Sequence, residues 1–271
     1  KHVSGIKGGR LARAAWPARV VSLIVSDIPG DNLAHVASGP TVPDSSTPQD
    51  ALDEIRRYRI ALPDAIMAHI GSDAASAPQP SDPLFSRNSC HLIASAAVSL
   101  QAAAAEAERQ GVAAHILSDA IEGEAREVGR MHAAIAREVL HRDRPFAKPA
   151  VILSGGETTV TLRGRGKGGR NSEFLLAFAL AIGGYAGIEA LAADTDGIDG
   201  SEDNAGAFAD GSTVARLIAV GQNPAALLDD NNAWSAFSAV GDLFVPGPTG
   251  TNVNDFRAIL VRQPGLMPLM K

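Results

Sequence analysis

The sequence predicts an α/β fold in two lobes, and three observations carry that prediction. Short β-rich apolar runs alternate with helix-length segments between residues 91 and 153, which is the rhythm of a parallel sheet with right-handed crossovers. The runs stop at glycine-rich or acidic turns, as strands do when they deliver loops to a ligand crevice. With 271 residues, 45% of them apolar and 20% charged, the chain can bury one large core or two smaller ones.

Taken in order, residues 20–25 (VVSLIV) read as a buried strand that stops at Ser26-Asp27-Ile28-Pro29-Gly30-Asp31. A Ser, Thr and Pro-rich loop covers 38–48, and Thr47-Pro48 caps a helix running to about residue 60. Residues 74–83 read as an exposed loop. Then come a strand at 91–94, a helix at 96–110 closed by Gly111, a strand at 113–117, a helix at 122–141 and a strand at 150–153. The segment RDRPFAKP at 142–149, charged and with two prolines, is the expected lobe boundary. Beyond it, 151–153 and 158–162 flank Ser154-Gly155-Gly156-Glu157 as an expected hairpin. A basic glycine loop, a helix at 172–181, a strand at 189–193, a polar loop to 210, a helix at 213–220 and a strand at 258–261 complete the reading.

The formal net charge of -6 argues against nucleic acid or an anionic membrane as the main partner, since both need a sustained basic face. No apolar run reaches the roughly 18 residues that span a bilayer. The single cysteine, Cys90, excludes an internal disulfide and a cysteine-rich metal site; it reads as a small buried apolar residue and fits a reducing, cytoplasmic setting. The sequence opens at Lys1 inside a glycine-rich basic turn, so a preceding segment is expected.

One local pattern occurs twice. Lys7-Gly8-Gly9-Arg10 and Lys167-Gly168-Gly169-Arg170 each open an apolar helix. Adjacent glycines let backbone N–H groups converge, a helix start adds partial positive charge, and Lys and Arg add full charges, so each is an expected cradle for phosphate or carboxylate. Each is followed by a helix, a strand and an acidic turn: Asp27 with Asp31 after the first, and Asp194-Thr195-Asp196-Gly197-Ile198-Asp199-Gly200 after the second. Mg²⁺ is the expected cation at these acids, because it takes one or two carboxylates together with phosphate oxygens and water. The loops Ser154-Gly155-Gly156-Glu157-Thr158 and Gly247-Pro248-Thr249-Gly250-Thr251-Asn252 could hold ribose or phosphate through backbone amides, or could be plain turns. No P-loop, HExxH or GxSxG string occurs. Residues 164–169 satisfy GxGxxG, but they follow an expected hairpin and do not open a βαβ unit.

These residues resemble the glycerate 2-kinases that end in a MOFRL domain, a family whose members are often labelled hydroxypyruvate reductases. The matching strings are residues 1–12 (KHVSGIKGGRLA), 26–31 (SDIPGD), 37–41 (ASGPT), 154–160 (SGGETTV), 168–173 (GGRNSE), 195–200 (TDGIDG) and 247–253 (GPTGTNV), in order across nearly the whole chain. The resemblance implies a Rossmann-like lobe over residues 1–145, N-terminally incomplete relative to the family, and a MOFRL-like C-terminal domain over 149–271. It implies phosphorylation of D-glycerate at the 2-hydroxyl by ATP with Mg²⁺ as cofactor. It also implies a further segment ahead of residue 1, with a glycine-rich loop and a lysine that acts at the active site.

On that footing Arg170 and Lys7 are expected to neutralise phosphate or the glycerate carboxylate, with Arg10, Asp27 and Ser38 on the substrate side. Asp194 and Asp196 are expected to hold Mg²⁺ or to accept the proton of the attacking hydroxyl. Gly155, Gly156, Glu157, Gly168, Gly169, Asn171, Thr249, Gly250 and Asn252 are expected to hold the nucleotide. Two other readings remain open: an NAD(P)H-dependent hydroxypyruvate reductase and an inactive phosphometabolite-binding chain. A homodimer is kept open as well.

Overall fold

The computed structural model describes residues 1–264. The chain divides into two compact units, residues 1–94 and 95–271. The first holds α1 (Arg10–Ala15), β1 (Val21–Val25), α2 (Pro48–Arg57), α3 (Asp64–Ile70) and β2 (Ser89–Ala94). β1 and β2 pair in parallel, with Val21 opposite Ser89. α2 starts where Thr47-Pro48 places it: Thr47 Oγ1 accepts from Asp50 N at 3.2 Å and Asp50 Oδ2 accepts from Thr47 N at 2.7 Å, a reciprocal cap. Cys90 is half-buried on β2, where the sequence reading had it buried.

The second unit runs through α4 (Ala96–Arg109), β3 (Ala113–Ser118), β4 (Gly123–Glu124), α5 (Ala125–Arg142), β5 (Ala150–Gly156), β6 (Thr158–Thr159), α6 (Arg170–Ala181), β7 (Ile188–Asp194), β8 (Gly206–Asp210), α7 (Thr213–Ala219), α8 (Pro224–Asp229), α9 (Ala233–Val240), β9 (Leu243–Phe244) and β10 (Asp255–Val261). Six strands form one sheet in the order β3-β5-β10-β7-β8-β9. β3 and β5 are parallel across the α5 crossover, and every other neighbouring pair is antiparallel. α6 is apolar on nearly every side, with residues 174–179 all buried, as a helix enclosed by a core must be. It crosses α5 closely: a Cβ on Gly129 would come within 2.3 Å of the Phe174 carbonyl oxygen.

Two expectations change here. The compact units divide at residues 94 and 95, and β3, hydrogen-bonded to β5, belongs to the second sheet. Accordingly 91–94 does not share a sheet with 113–117 and 150–153; it pairs with β1. The hairpin around Ser154-Gly155-Gly156-Glu157 is absent. β5 runs straight through both glycines against β10, and β6 pairs in parallel with β4. Gly155 and Gly156 mark close backbone approach instead of a turn: a Cβ on Gly156 would lie 2.2 Å from Ile121 N. The polar loop expected to reach residue 210 contains β8, and α3, α8, α9 and β9 went unread because each is short.

Candidate active site

The sheet itself assembles the site. β5 and β7 both run antiparallel to the strand between them, so their carboxyl ends share one end of the sheet with the start of β10. The register sets Asp255 opposite Asp194 on one side and Gly156 on the other, with Glu157 following directly. Carboxylates placed directly across a strand pair repel. Arg170, the first residue of α6, resolves the repulsion. Its Nε donates to Asp255 Oδ1 at 2.7 Å, its Nη1 to Glu157 Oε1 at 2.7 Å and its Nη2 to Asp194 Oδ2 at 2.6 Å. Burial works against its charge, but the carboxylates outweigh burial and hold the guanidinium above its ordinary pKa. A planar fork of donors can serve three acids in this way where a lysine could not.

Behind this contact the support is buried. Asp255 also takes Asn171 Nδ2 at 2.8 Å, Thr158 N at 3.2 Å and the guanidinium of Arg257, which lies two residues along the same face of β10 and over the Phe174 ring. In front of it, burial pushes the Asp194 carboxyl up to about 6, helped by repulsion from Asp196 and Asp255 and opposed by the Asp196 amide and Arg170. Asp196 accepts from Ile198 N at 2.8 Å and from Asn252 Nδ2 at 3.3 Å. The loop carrying Asn252 is tied down by Thr249, whose Oγ1 donates to the Thr195 carbonyl at 2.6 Å.

These groups border an open cleft of about 640 Å³, lined among others by Glu157, Gly168, Gly169, Arg170, Asp194, Asp196 and Asn252. Seven of the sixteen expected residues thus meet in one place. A larger cavity of about 730 Å³ beside Phe208 and Arg216 gathers none of them, and its arginine is already paired with Asp242 at 2.5 Å.

Other expected residues do different work. Gly155 and Gly156 pack against backbone, and Asn171 is fully buried beneath Asp255. The start of α6 already holds an anion: Asp199, 1% exposed, accepts from Asn171 N at 2.9 Å and Ser172 N at 2.8 Å. Thr249 and Gly250 lie outside the cleft lining, Thr249 bracing the turn at 195–196. In the first unit the cradle is filled from within. Gly8 N and Gly9 N donate to the carbonyls of Ser38 and Gly39 at 3.0 and 2.8 Å. Arg10 is buried and donates to the carbonyls of Lys7 and Ala75 at 3.1 and 2.5 Å. Lys7 and Asp27 are exposed. No group of three or more His, Cys, Asp or Glu side chains with metal-ligand geometry occurs among the described residues.

Sequence reasoning missed Asp255, Arg257, Asp199 in its capping role, Glu173 and Asn231. One signal was present: Asp255 and Arg257 stand two apart on an otherwise apolar alternating strand, so they share its inner face and a buried arginine there requires its acid.

A mixed α/β sheet with a cation-centred carboxylate cluster outside its strand ends has a polar crevice where sheets of the α/β class bind their ligands. Two family models match, "MOFRL family" over residues 150–255 and "Domain of unknown function (DUF4147)" over residues 1–71. A protein of Agrobacterium vitis named "Putative hydroxypyruvate reductase" is 47% identical over 96% of this chain and 67% of its own length. D-glycerate 2-kinase of Thermotoga maritima is 42% identical over 94% of this chain and 60% of its own length. A crystal structure of glycerate kinase from the same organism superposes with a TM-score of 0.88 at 41% identity, over 96% of this chain and 61% of that one. The chain belongs to the MOFRL-containing glycerate 2-kinase family. It spans about three fifths of the length of most of these relatives.

Proposed function

We propose that the chain carries out, within the full length typical of its relatives, phosphorylation of D-glycerate at the 2-hydroxyl by ATP. The observation that carries this reading is Arg170 held by Asp194, Asp255 and Glu157 at one end of the sheet, facing a cleft. Phosphoryl transfer asks for alignment and charge neutralisation more than for covalent chemistry. A guanidinium fixed in orientation by three acids is suited to that, because it does not reorganise when charge develops on the transferring group. A carboxyl at about 6, as on Asp194, suits the acceptor of the attacking hydroxyl's proton near neutral pH, which supports that role for it. In the alternative role, the oxygen donors of Asp194 and Asp196 fit Mg²⁺, which would offset the burial and the repulsion that raise Asp194; when bound, Mg²⁺ would neutralise phosphate charge. Lys7 is kept as a phosphate contact on its exposed charge alone.

The reductase reading gains no support from GxGxxG at 164–169, since the N–H groups of Gly164, Gly166 and Gly169 are taken by Asn231, Asp230 and Ser172. No helix among the described residues is long and apolar enough to cross a membrane; a cytoplasmic setting and a homodimer belong to this proposal. The test is ADP release with ATP, Mg²⁺ and D-glycerate, on this chain alone and joined to the further length its relatives carry. Glycerate-dependent ADP with 2-phosphoglycerate as product supports the reading, and no turnover by either form, or oxidation of NADH with hydroxypyruvate, refutes it.

A further inference from the structure

One three-residue turn holds every backbone N–H from residue 163 to residue 167. Asn231 Oδ1 accepts from Arg163 N at 2.7 Å and from Gly164 N at 3.0 Å. Asp230 accepts from Arg165 N through Oδ1 at 3.0 Å and from Gly166 N through its carbonyl at 2.9 Å, and Asn232 Oδ1 accepts from Lys167 N at 3.1 Å. The glycines make this approach possible: a Cβ on Gly164 would come within 2.2 Å of Asp230 Oδ1, and one on Gly166 within 2.3 Å of Asn232 Cβ. Glycine therefore alternates with cation along the segment, the glycines against the turn and Arg163, Arg165 and Lys167 exposed.

The turn is itself anchored. Asn231 sits at φ 53°, where asparagine is tolerated better than most residues. Its Nδ2 donates to Glu173 Oε2 at 2.8 Å, and Glu173 Oε1 takes Nε of the buried Arg126 at 2.8 Å. Asn231, Glu173, Leu162 and Gly166 all line the cleft that contains Arg170. Lys167 is occupied, reaching Glu202 at 3.4 Å and lying over the Trp234 ring. The guanidinium groups of Arg163 and Arg165 make no hydrogen bond or salt bridge among the described residues, although the Arg163 charge acts on Glu124 from a distance.

A segment ordered in advance does not lose conformational freedom when its ligand arrives. Two guanidinium groups outside any salt bridge on such a segment, in an acidic chain, match the spaced oxygens of a polyphosphate. We infer that residues 163–167 are a preformed polyphosphate-binding arm, on which Arg163 and Arg165 take the phosphate tail of the nucleotide while Asp230, Asn231 and Asn232 act as positioning residues. The inference deepens the phosphotransfer reading and rests on it for the identity of the ligand, but binding by the arm is measurable without turnover.

The experiment is calorimetric titration of the chain with inorganic tripolyphosphate, with the thermal midpoint of each variant recorded alongside. The affinity is expected to fall at least tenfold in Arg163→Gln/Arg165→Gln. It is expected to fall at least threefold in Asn231→Gly and in Gly166→Ala, neither of which changes the charge, and to hold in the charge-matched control Arg56→Gln/Arg57→Gln. The arm is overturned if the wild-type chain takes up no tripolyphosphate, if the double arginine variant keeps wild-type affinity, or if the control loses as much. Unaltered affinity in both Asn231→Gly and Gly166→Ala overturns the positioning role. Intact tripolyphosphate binding together with no glycerate-dependent ADP release sinks the kinase reading and leaves the arm standing.

Discussion

Residues 7–10 and 167–170 spell the same turn, Lys-Gly-Gly-Arg, and each opens a helix, yet their arginines meet different partners. Arg10 ends against the carbonyl oxygens of Lys7 and Ala75, and its glycine amides are taken up by the 38–39 backbone. Arg170 ends against three carboxylates from three places in the chain, 13 residues before it and 24 and 85 after it. Both guanidinium groups are satisfied, as buried polar groups must be. A neutral carbonyl spends the donors of Arg10 on holding a loop. Acids placed side by side by strand register leave the charge of Arg170 facing a cleft. The difference lies in what the rest of the chain delivers to the turn, and the turn itself carries no trace of it.

The largest expected effect is at Arg170. Arg170→Met strands Asp194 without its cation and leaves Asp255 to Arg257 alone, and breaking a buried pair in this way costs about 3–5 kcal/mol; urea unfolding should show the loss, smaller at pH 4 than at pH 7, because Asp194 takes up a proton on the way down. Arg10→Met removes donors to two carbonyls and should cost about 1–3 kcal/mol by the same measurement, with little dependence on pH. If the two losses have the same size and pH dependence, the two turns are equivalent and the contrast fails.

A second contrast sharpens the first. Burial lowers the His132 imidazole to about 4, helped by Arg257 and opposed by its bond to the Val128 carbonyl. Since that carbonyl can only accept, Nδ1 carries the proton and Nε2 accepts from Ser154 Oγ at 3.0 Å. Between about 6.5 and 4 the unfolded chain binds the proton that native His132 refuses, so stability falls as pH drops, by roughly 3 kcal/mol over the window. Asp194 has the opposite sign. Its folded value near 6 lies above the unfolded one, so its contribution falls as pH rises from about 4 to 6. His132→Gln should therefore flatten the acid loss, and Asp194→Asn should steepen it; unchanged profiles in both would remove the electrostatic account.

The smallest effect belongs to Asp199, which caps the start of α6 from a buried position that raises its pKa against the bonds from Asn171 and Ser172. Asp199→Asn keeps an acceptor for one of those amides, so a loss of about 1–2 kcal/mol in denaturant is expected. No loss would mean that the second turn needs no internal anion and is open to an external one after all.

Much of the fold was legible because periodicity survives burial: α2, α4, α5 and α6 and the strands around 21–25, 113–118 and 188–194 begin and end close to where sequence placed them. Strand order was not legible. β10 sits between β5 and β7 although its start lies 99 residues beyond the end of β5 and 61 beyond the end of β7, and nothing local reports such a pairing. For the same reason Asp255 was invisible as a site residue while Arg170 and Asp194 were not. The latter two announce themselves beside glycines, and the former hides at the start of an apolar strand. Gly155 and Gly156 misled because glycine marks both turns and close backbone contact.

The most direct test of the central claim is the rate of ADP release with D-glycerate for Arg170→Lys in a form carrying the relatives' full length, beside the unsubstituted protein. Lysine keeps the charge but can replace only part of a planar three-way grip, so turnover should fall by about two to three orders of magnitude with the thermal midpoint shifted by only a few degrees. Turnover within a few fold of the unsubstituted rate would show that the carboxylate-held guanidinium is architecture and that the chemistry lies elsewhere.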